Sequence, residues 1–444
     1  MKGIKALALA LITAVLLISF CSCRGSHAED GALITAPTLF EEQDEIMRAL
    51  RRSAGDKIIL EYPRTGENRS AFILSDIDGD NESEAVAFYR PASDKLNQDI
   101  IHVNVLDSTE KNGWVSMCDI VGLASSIDRV SIAELSGRKE IIIGWDVMTD
   151  REKTLVCYSL ASGNLVRDYT ATYVEFAAAD FWSENEGSEL ITLNYSSTAE
   201  NLTQPTQHAR LIALQNKEFK VISSTPLDSR VTGYKSCTAG KYNEQSIGYF
   251  IDGTIDAATV NTQILTVSEN GQILNPLLSA DNKTDAENVH KPTLLTQDIN
   301  GDGVYEVPHQ QIVTGYETVP ESEQIFKTIW KQLDGGALKK SLTMYINTAL
   351  GIRIMIPESL EGNITLKAIM AQNEIVFYEY AGSLAESVQP LFSIRVSEKD
   401  LYEWESGYDA LCSNEYVVVT VKLHDAENEL CPTWETLFEI VDIM

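Results

Sequence analysis

Two stretches of this chain, Ser75–Tyr89 and Gln297–Gln311, repeat one pattern: oxygen-bearing side chains at alternate positions, turn residues between them, and an apolar run close by. In the first, Asp76, Asp78, Asp80 and Glu84 hold loop positions 1, 3, 5 and 9; in the second, Asp298, Asn300, Asp302 and Glu306 do. Alternate oxygens on a tightly curled loop converge on one hard cation, and the main-chain carbonyl at position 7, that of Glu82 or Val304, adds another ligand. Position 4 is Gly79 or Gly301 and position 6 is Asn81 or Gly303, residue types that tolerate the positive φ of such a curl. The donors are all oxygen, which predicts calcium in a structural role at both loops, since zinc or copper would draw His or Cys. The alternative is a plain acidic hairpin without an ion, in which the carboxylates repel one another.

An EF-hand would need a bidentate acid at position 12 and a helix after it. Position 12 is Ala87 or His309, and Ala85 to Tyr89 reads as a strand, as does Ala71 to Leu74 before the loop. The loop therefore joins two strands. Weaker copies follow the same frame: Glu140 stands before Ile141–Ile143, Glu189 before Leu190–Leu193, and Ser246 before Ile247–Phe250. With Glu84 and Glu306 these are five anchors, and subtracting their numbers gives spacings of 56, 49, 57 and 60 residues. That period fits a four-stranded propeller blade with its loops. The expected fold is mainly β, a β-propeller of about five blades, with six if one blade lacks the acidic loop. The middle units have lost their ligands. Arg138 and Lys139 replace acids in one, and Asp180 to Glu189 is a residue too long in another, so these units keep the hairpin and bind no ion.

These hairpins resemble the FG-GAP/VCBS-type repeats of integrin-like β-propellers, here in the setting of a bacterial lipoprotein, over roughly Ala54 to Lys340. The resemblance implies a calcium ion rigidifying a hairpin within a blade. That family hosts adhesion modules, enzymes and assembly factors, so fold does not fix function. After Leu342 the acidic-loop pattern stops. Strand-like runs at 351–356, 364–369, 375–380, 391–396 and 416–421 and a helix-like end at 434–443 suggest a smaller α+β domain. Its opening, Gly351 to Pro357, resembles that of PsbP/Mog1-like domains. The expected organisation is a signal segment at 1–23, a linker and amphipathic helix at 24–53, the propeller at 54–341 and the α+β domain at 342–444.

The N-terminus gives the location. Lys2 and Lys5 precede an uninterrupted apolar run from Ala6 to Phe20, too short for a comfortable membrane span and matching an export signal. A cysteine just after such a run is a lipid acceptor. Cys23, preceded by the small Ser22, is the expected site and Cys21, preceded by Phe20, the alternative. Cleavage after Ala28, giving a free secreted protein, is the rival reading. Thr38 to Glu41 has the form of a capping box, Leu39, Ile46, Met47 and Leu50 recur at helical spacing, and Gly55 is a stop. Cys412 and Cys431 either pair in the exported protein or serve as small buried hydrophobes.

The charge of −30, from 65 acidic against 35 basic residues, excludes nucleic acid as a partner. None of the six histidines has metal-ligand spacing, and the chain carries no nucleophile elbow, P-loop or dinucleotide fingerprint. No catalytic residues are expected. The expected function is a lipid-anchored protein on the outer face of the cell membrane, presenting a propeller surface to a protein or glycan ligand. A glycan-active enzyme on the propeller face, or an envelope assembly or sensory factor, is the alternative.

Overall fold

The computed structural model describes residues 41–92, 100–109, 113–149, 151–195 and 206–444. The export signal with Cys21 and Cys23, and the capping box from Thr38, lie outside the described residues apart from Glu41.

The amphipathic helix is α1 (Glu41–Ala54), with Ile46, Ala49 and Leu50 buried along one stripe. It stops where expected: Gly55 adopts φ +93°, and its N–H bonds back to the Arg51 carbonyl at 2.9 Å.

Everything after this helix is mainly β, in six antiparallel sheets taken up in chain order. Sheet 1 holds β1 (Ile58–Leu60), β2 (Phe72–Ser75), β3 (Glu84–Pro91), β4 (His102–Thr109) and β5 (Gly113–Val121). Sheet 2 is the meander β6 (Ile127–Leu135), β7 (Arg138–Thr149), β8 (Glu152–Ala161), β9 (Asn164–Tyr173). Sheet 3 repeats it with β10 (Glu175–Ala179), β11 (Glu189–Tyr195), β12 (Gln207–Gln215), β13 (Glu218–Pro226). Sheet 4 does so again with β14 (Gly233–Lys241), β15 (Ile247–Thr254), β16 (Val260–Val267), β17 (Ile273–Leu274), and β18 (Val289–His290) added beside β16. Sheet 5 runs through β19 (Val307–Ile312), β20 (Phe326–Asp334), β21 (Ala337–Asn347) and β22 (Ile352–Met355). Sheet 6 contains β23 (Ile364–Ile369), β24 (Glu374–Glu379), β25 (Pro390–Glu398), β26 (Asp409–Ser413) and β27 (Val417–Leu423). Helix α2 (Trp434–Ile440) follows, and β28 (Val441–Ile443) returns to pair with β22. Four strands wound up and down in each of the first sheets is the topology of a propeller blade.

Consecutive sheets share hydrophobic cores. Ile141 and Ile143 of β7 pack with Val86 and Phe88 of sheet 1, whereas Ile142 packs with Leu190 and Ile212 of sheet 3. Tyr249 and Ile251 of β15 meet Ile191 and Leu211 of sheet 3, and Phe250 between them meets Val307 of sheet 5. Side chains alternate across a strand, so a strand covered on both faces must be apolar at every position. This is why the runs after Glu84, Glu140 and Glu189 are continuous rather than alternating.

Leu342, where the sequence places a domain boundary, lies inside β21, and Leu342 itself pairs with Trp330. The region beyond it shares one core with sheet 5: Tyr345, Ile352 and Ile354 pack with Leu366, Phe377 and Phe392. All five expected C-terminal strands occur within two residues of their predicted ends. The helix ends at Ile440 because the chain turns there into β28. Cys412 and Cys431 are unpaired; both pack against this core, and the Cys431 Sγ reaches the Leu391 carbonyl at 3.5 Å. Both are half-buried rather than fully enclosed.

Candidate metal centre

The five anchors fall at equivalent places. Glu84 opens β3 of sheet 1, Glu189 opens β11 of sheet 3, and Glu140 lies near the start of β7 of sheet 2. Ser246 immediately precedes β15 and Glu306 immediately precedes β19. Ser75 pairs with Glu84 across the mouth of the first acidic loop, and Gln297 pairs with Glu306 across the second. All four glutamates are fully buried.

The two acidic loops have the same internal wiring. In the first, Asp76 Oδ1 accepts from the Gly79 N–H at 2.7 Å and its Oδ2 from the Asn81 N–H at 3.2 Å. In the second, Asp298 Oδ1 accepts from Gly301 at 2.7 Å and its Oδ2 from Gly303 at 2.9 Å. Asp78 Oδ1 accepts from Asp80 N–H, as Asn300 Oδ1 does from Asp302. Asp80 Oδ1 accepts from Glu82, as Asp302 Oδ1 does from Val304. Position 4 has φ +86° at Gly79 and +78° at Gly301; position 6 has +71° at Asn81 and +87° at Gly303. The anchor closes each loop from below. Glu84 Oε2 accepts from the Ile77 and Asp78 N–H groups at 2.6 and 3.2 Å, and Glu306 Oε2 from Ile299 at 3.0 Å.

The remaining anchor oxygens separate the loops. Glu84 Oε1 is buried and has no hydrogen-bond partner. Ligand oxygens of Asp76, Asp78 and Glu84 lie within 4.8 Å of one another. An orphaned oxygen on a buried carboxylate that lies close to two further carboxylates is what a bound cation would satisfy, and an all-oxygen set suits a hard one. The first loop fits calcium. In the second, Glu306 Oε1 already accepts from Gln332 Nε2 at 2.8 Å, and Asp302 Oδ2 accepts from Asn300 Nδ2 at 2.9 Å and Gln332 Nε2 at 3.3 Å.

Burial dominates the titration of the anchors. It pushes Glu84 upward, against its two backbone hydrogen bonds, and Asp78 and Asp80 add to the rise. Burial likewise raises Glu306, Glu189 and Glu140, each to about 7. Arg138 opposes the rise at Glu140; the Asn185 side chain and the backbone N–H groups of Trp182 and Phe181 oppose it at Glu189.

The middle units depart from the acidic pattern as the sequence reading describes. The sheet 2 turn is Ser136–Gly137, with both residues at positive φ, and offers no loop oxygens. In sheet 4, Asn243 Oδ1 caps the turn by accepting from Gln245 and Ser246. Sequence reasoning missed Gln332, which lies 26 residues beyond its anchor on β20.

No family model matches the chain, and no curated protein does. Among solved structures it is similar to Sqt1 of Chaetomium thermophilum, at 10% identity and TM-score 0.31, covering 77% of this chain and 92% of that one. It is similar to a Lactobacillus plantarum protein solved as a structural-genomics target, at 9% identity and TM-score 0.30, covering 74% and 92%. A third is the exotype rhamnogalacturonan lyase YesX, at 12% identity and TM-score 0.29, covering 72% and 61%.

Proposed function

We propose that this chain is an exported, lipid-anchored binding protein built on a β-propeller of the FG-GAP/VCBS type, with calcium bracing the hairpin of its first blade. The observation that carries the reading is the first acidic loop, where Glu84 Oε1 is buried and unpartnered and the Glu84 carboxylate lies close to those of Asp76 and Asp78. The carbonyl of Glu82 and the carboxylate of Asp80 complete the proposed ligand set. Calcium there neutralises crowded carboxylates and holds the strand connection rigid; the role is structural.

The binding surface is proposed on protein or glycan ligands rather than nucleic acid, which the −30 charge disfavours. Sheet 6 supports this. Leu401, Trp404 and Tyr416 stand 70–75% exposed, and the Lys399 N–H to Tyr416 carbonyl bond of 2.8 Å brings the 399–401 turn beside Tyr416. Large exposed aromatic side chains supply stacking and contact area at such surfaces. The anchor is proposed at Cys23, with Cys21 as the alternative, on the outer face of the membrane.

The test has two arms. Cys23→Ala should release the protein from the membrane fraction; retention of that variant together with release of Cys21→Ala would move the lipid to Cys21. A glycan array and an envelope-extract pulldown should give a ligand whose capture Trp404→Ala and Tyr416→Ala weaken. A ligand captured equally by both variants would remove sheet 6 from the reading.

A further inference from the structure

In this fold three of the four anchor glutamates divide two jobs between their oxygens, while Glu140 leaves its Oε2 buried without a hydrogen-bond partner. In those three, Oε2 caps backbone N–H groups at the start of the loop: Ile77 and Asp78 under Glu84, Phe181 and Trp182 under Glu189, Ile299 under Glu306. Oε1 is left to find a separate donor. That partner differs from sheet to sheet. Glu189 Oε1 receives Asn185 Nδ2 at 2.6 Å. Glu140 Oε1 receives the Arg138 guanidinium. Glu306 Oε1 receives Gln332 Nε2 at 2.8 Å. Glu84 Oε1 alone among these four receives nothing from the described residues.

We infer that the chain's own N–H donors stand in for the cation at every anchor except the first, so that the second acidic loop, despite its ligand-like sequence, is closed by Gln332 and binds no calcium. The inference rests on the calcium reading of the first loop for its reference state. Position 3 supports it independently. In both loops Oδ1 of this residue is fixed by the N–H two residues on. The other terminal atom is then a carboxylate oxygen in Asp78 but an amide nitrogen in Asn300. That nitrogen donates to Asp302 Oδ2, and turning the amide over would set an N–H against the Asp302 N–H. Asn300 and Gln332 thus present two donors where the first loop presents only acceptors. A cation in the second loop would have to displace both and leave their hydrogens unpaired.

Calcium titration by calorimetry on chelator-stripped full-length protein in detergent tests this, with parallel melting curves. The wild type should bind a single equivalent, Asp78→Ala should lose it, and Asp302→Ala should keep it. Asn300→Asp combined with Gln332→Ala, which removes both donors, should gain a second equivalent, lost again when Asp302→Ala is added. A wild type that binds two equivalents, one of them removed by Asp302→Ala, overturns the inference and leaves the first-loop reading intact. A double variant that folds and gains no calcium also overturns it. A wild type that binds none while the double variant binds one removes calcium from the first loop and supports the inference about the second. Should the double variant fail to fold, the unchanged or reduced stoichiometry of Asp302→Ala decides.

Discussion

The loops at Asp76–Glu84 and Asp298–Glu306 share backbone angles, internal hydrogen bonds and a buried anchor, and differ in how one carboxylate oxygen is satisfied. The first leaves Glu84 Oε1 without a protein partner. The second brings in Gln332 from the neighbouring strand of its own sheet. Liganding capacity is thus a property of the loop together with the strand beside it, because a buried acceptor must be paired by something and the nearest donor wins. Their surroundings differ as well. The second loop is bridged to sheet 4, with the Tyr305 N–H on the Lys241 carbonyl at 2.9 Å. Among the described residues, cores join sheet 1 to sheet 2, and sheet 5 to sheets 4 and 6.

The largest expected effect tests the idea that amide-held anchors are neutral at neutral pH. Glu189 has a folded pKa of about 7, against 4.5 in its ordinary state. Between those values the folded protein keeps a proton that the unfolded chain has lost. Stability therefore falls as pH rises from about 4.5 to 7 and is level above, a loss on the order of 3 kcal/mol from this one group. Glu189→Gln keeps an oxygen for the Phe181 and Trp182 N–H groups and lets Asn185 turn to accept. Denaturation midpoints of this variant should lack that share of the fall. Parallel pH profiles for variant and wild type would show that Glu189 stays ionised, and that Asn185 holds a charge.

Calcium comes next. A ligand bound only by the folded state stabilises it by about 2.7 kcal/mol at a hundredfold excess over its dissociation constant. Chelation should lower the melting temperature of the wild type and of Asp302→Ala, and leave Asp78→Ala unmoved. Equal sensitivity of the two variants would erase the distinction between the loops.

A smaller effect tests their shared backbone. Gly79 and Gly301 sit at φ +86° and +78°, and a Cβ at either would meet nothing within 4 Å. Replacement by alanine should then cost only the left-handed strain, about 1–2 kcal/mol, and the same in both when measured in chelator. Unequal losses would mean the two curls are not the same structure.

How much of this the sequence carried follows from where the determinants lie. The acidic loops, their positive-φ residues and the buried anchors are written within nine consecutive positions, and the two-sided burial of the strand after the first loop shows as an unbroken apolar run from Ala85 to Tyr89. Gln332 could not be read that way, since only the pairing of β19 with β20 brings it under Glu306. Arg138 reads in the sequence as a lost ligand, whereas in the fold it is a donor to Glu140. The acidic motif ends before Leu342, yet a motif can stop without the sheet stopping. The return of Val441–Ile443 onto Ile352–Ile354 is a pairing between distant segments that no local pattern announces.

The smallest change should convert one loop into the other. Glu84→Gln replaces a single atom. Its oxygen can keep the Ile77 and Asp78 N–H groups, because turning the amide over would face N–H against N–H. The new Nε2 then takes the place of the orphaned Oε1, on a side chain that has an oxygen within 4.8 Å of ligand oxygens of Asp76 and Asp78 in the wild type. This is the arrangement Gln332 gives the second loop, supplied from the anchor itself. Without calcium the variant should be more stable than the wild type by about 1 kcal/mol, since an unpaired acceptor among like charges becomes a donor to charged groups. With calcium the order should reverse, because the variant has one ligand oxygen fewer and a donor in the cation's place. The crossing of the two melting curves as calcium is added is the signature. A variant less stable than the wild type in chelator as well would mean that Glu84 Oε1 meets a partner in solution, and the contrast between the two loops would fail at its root.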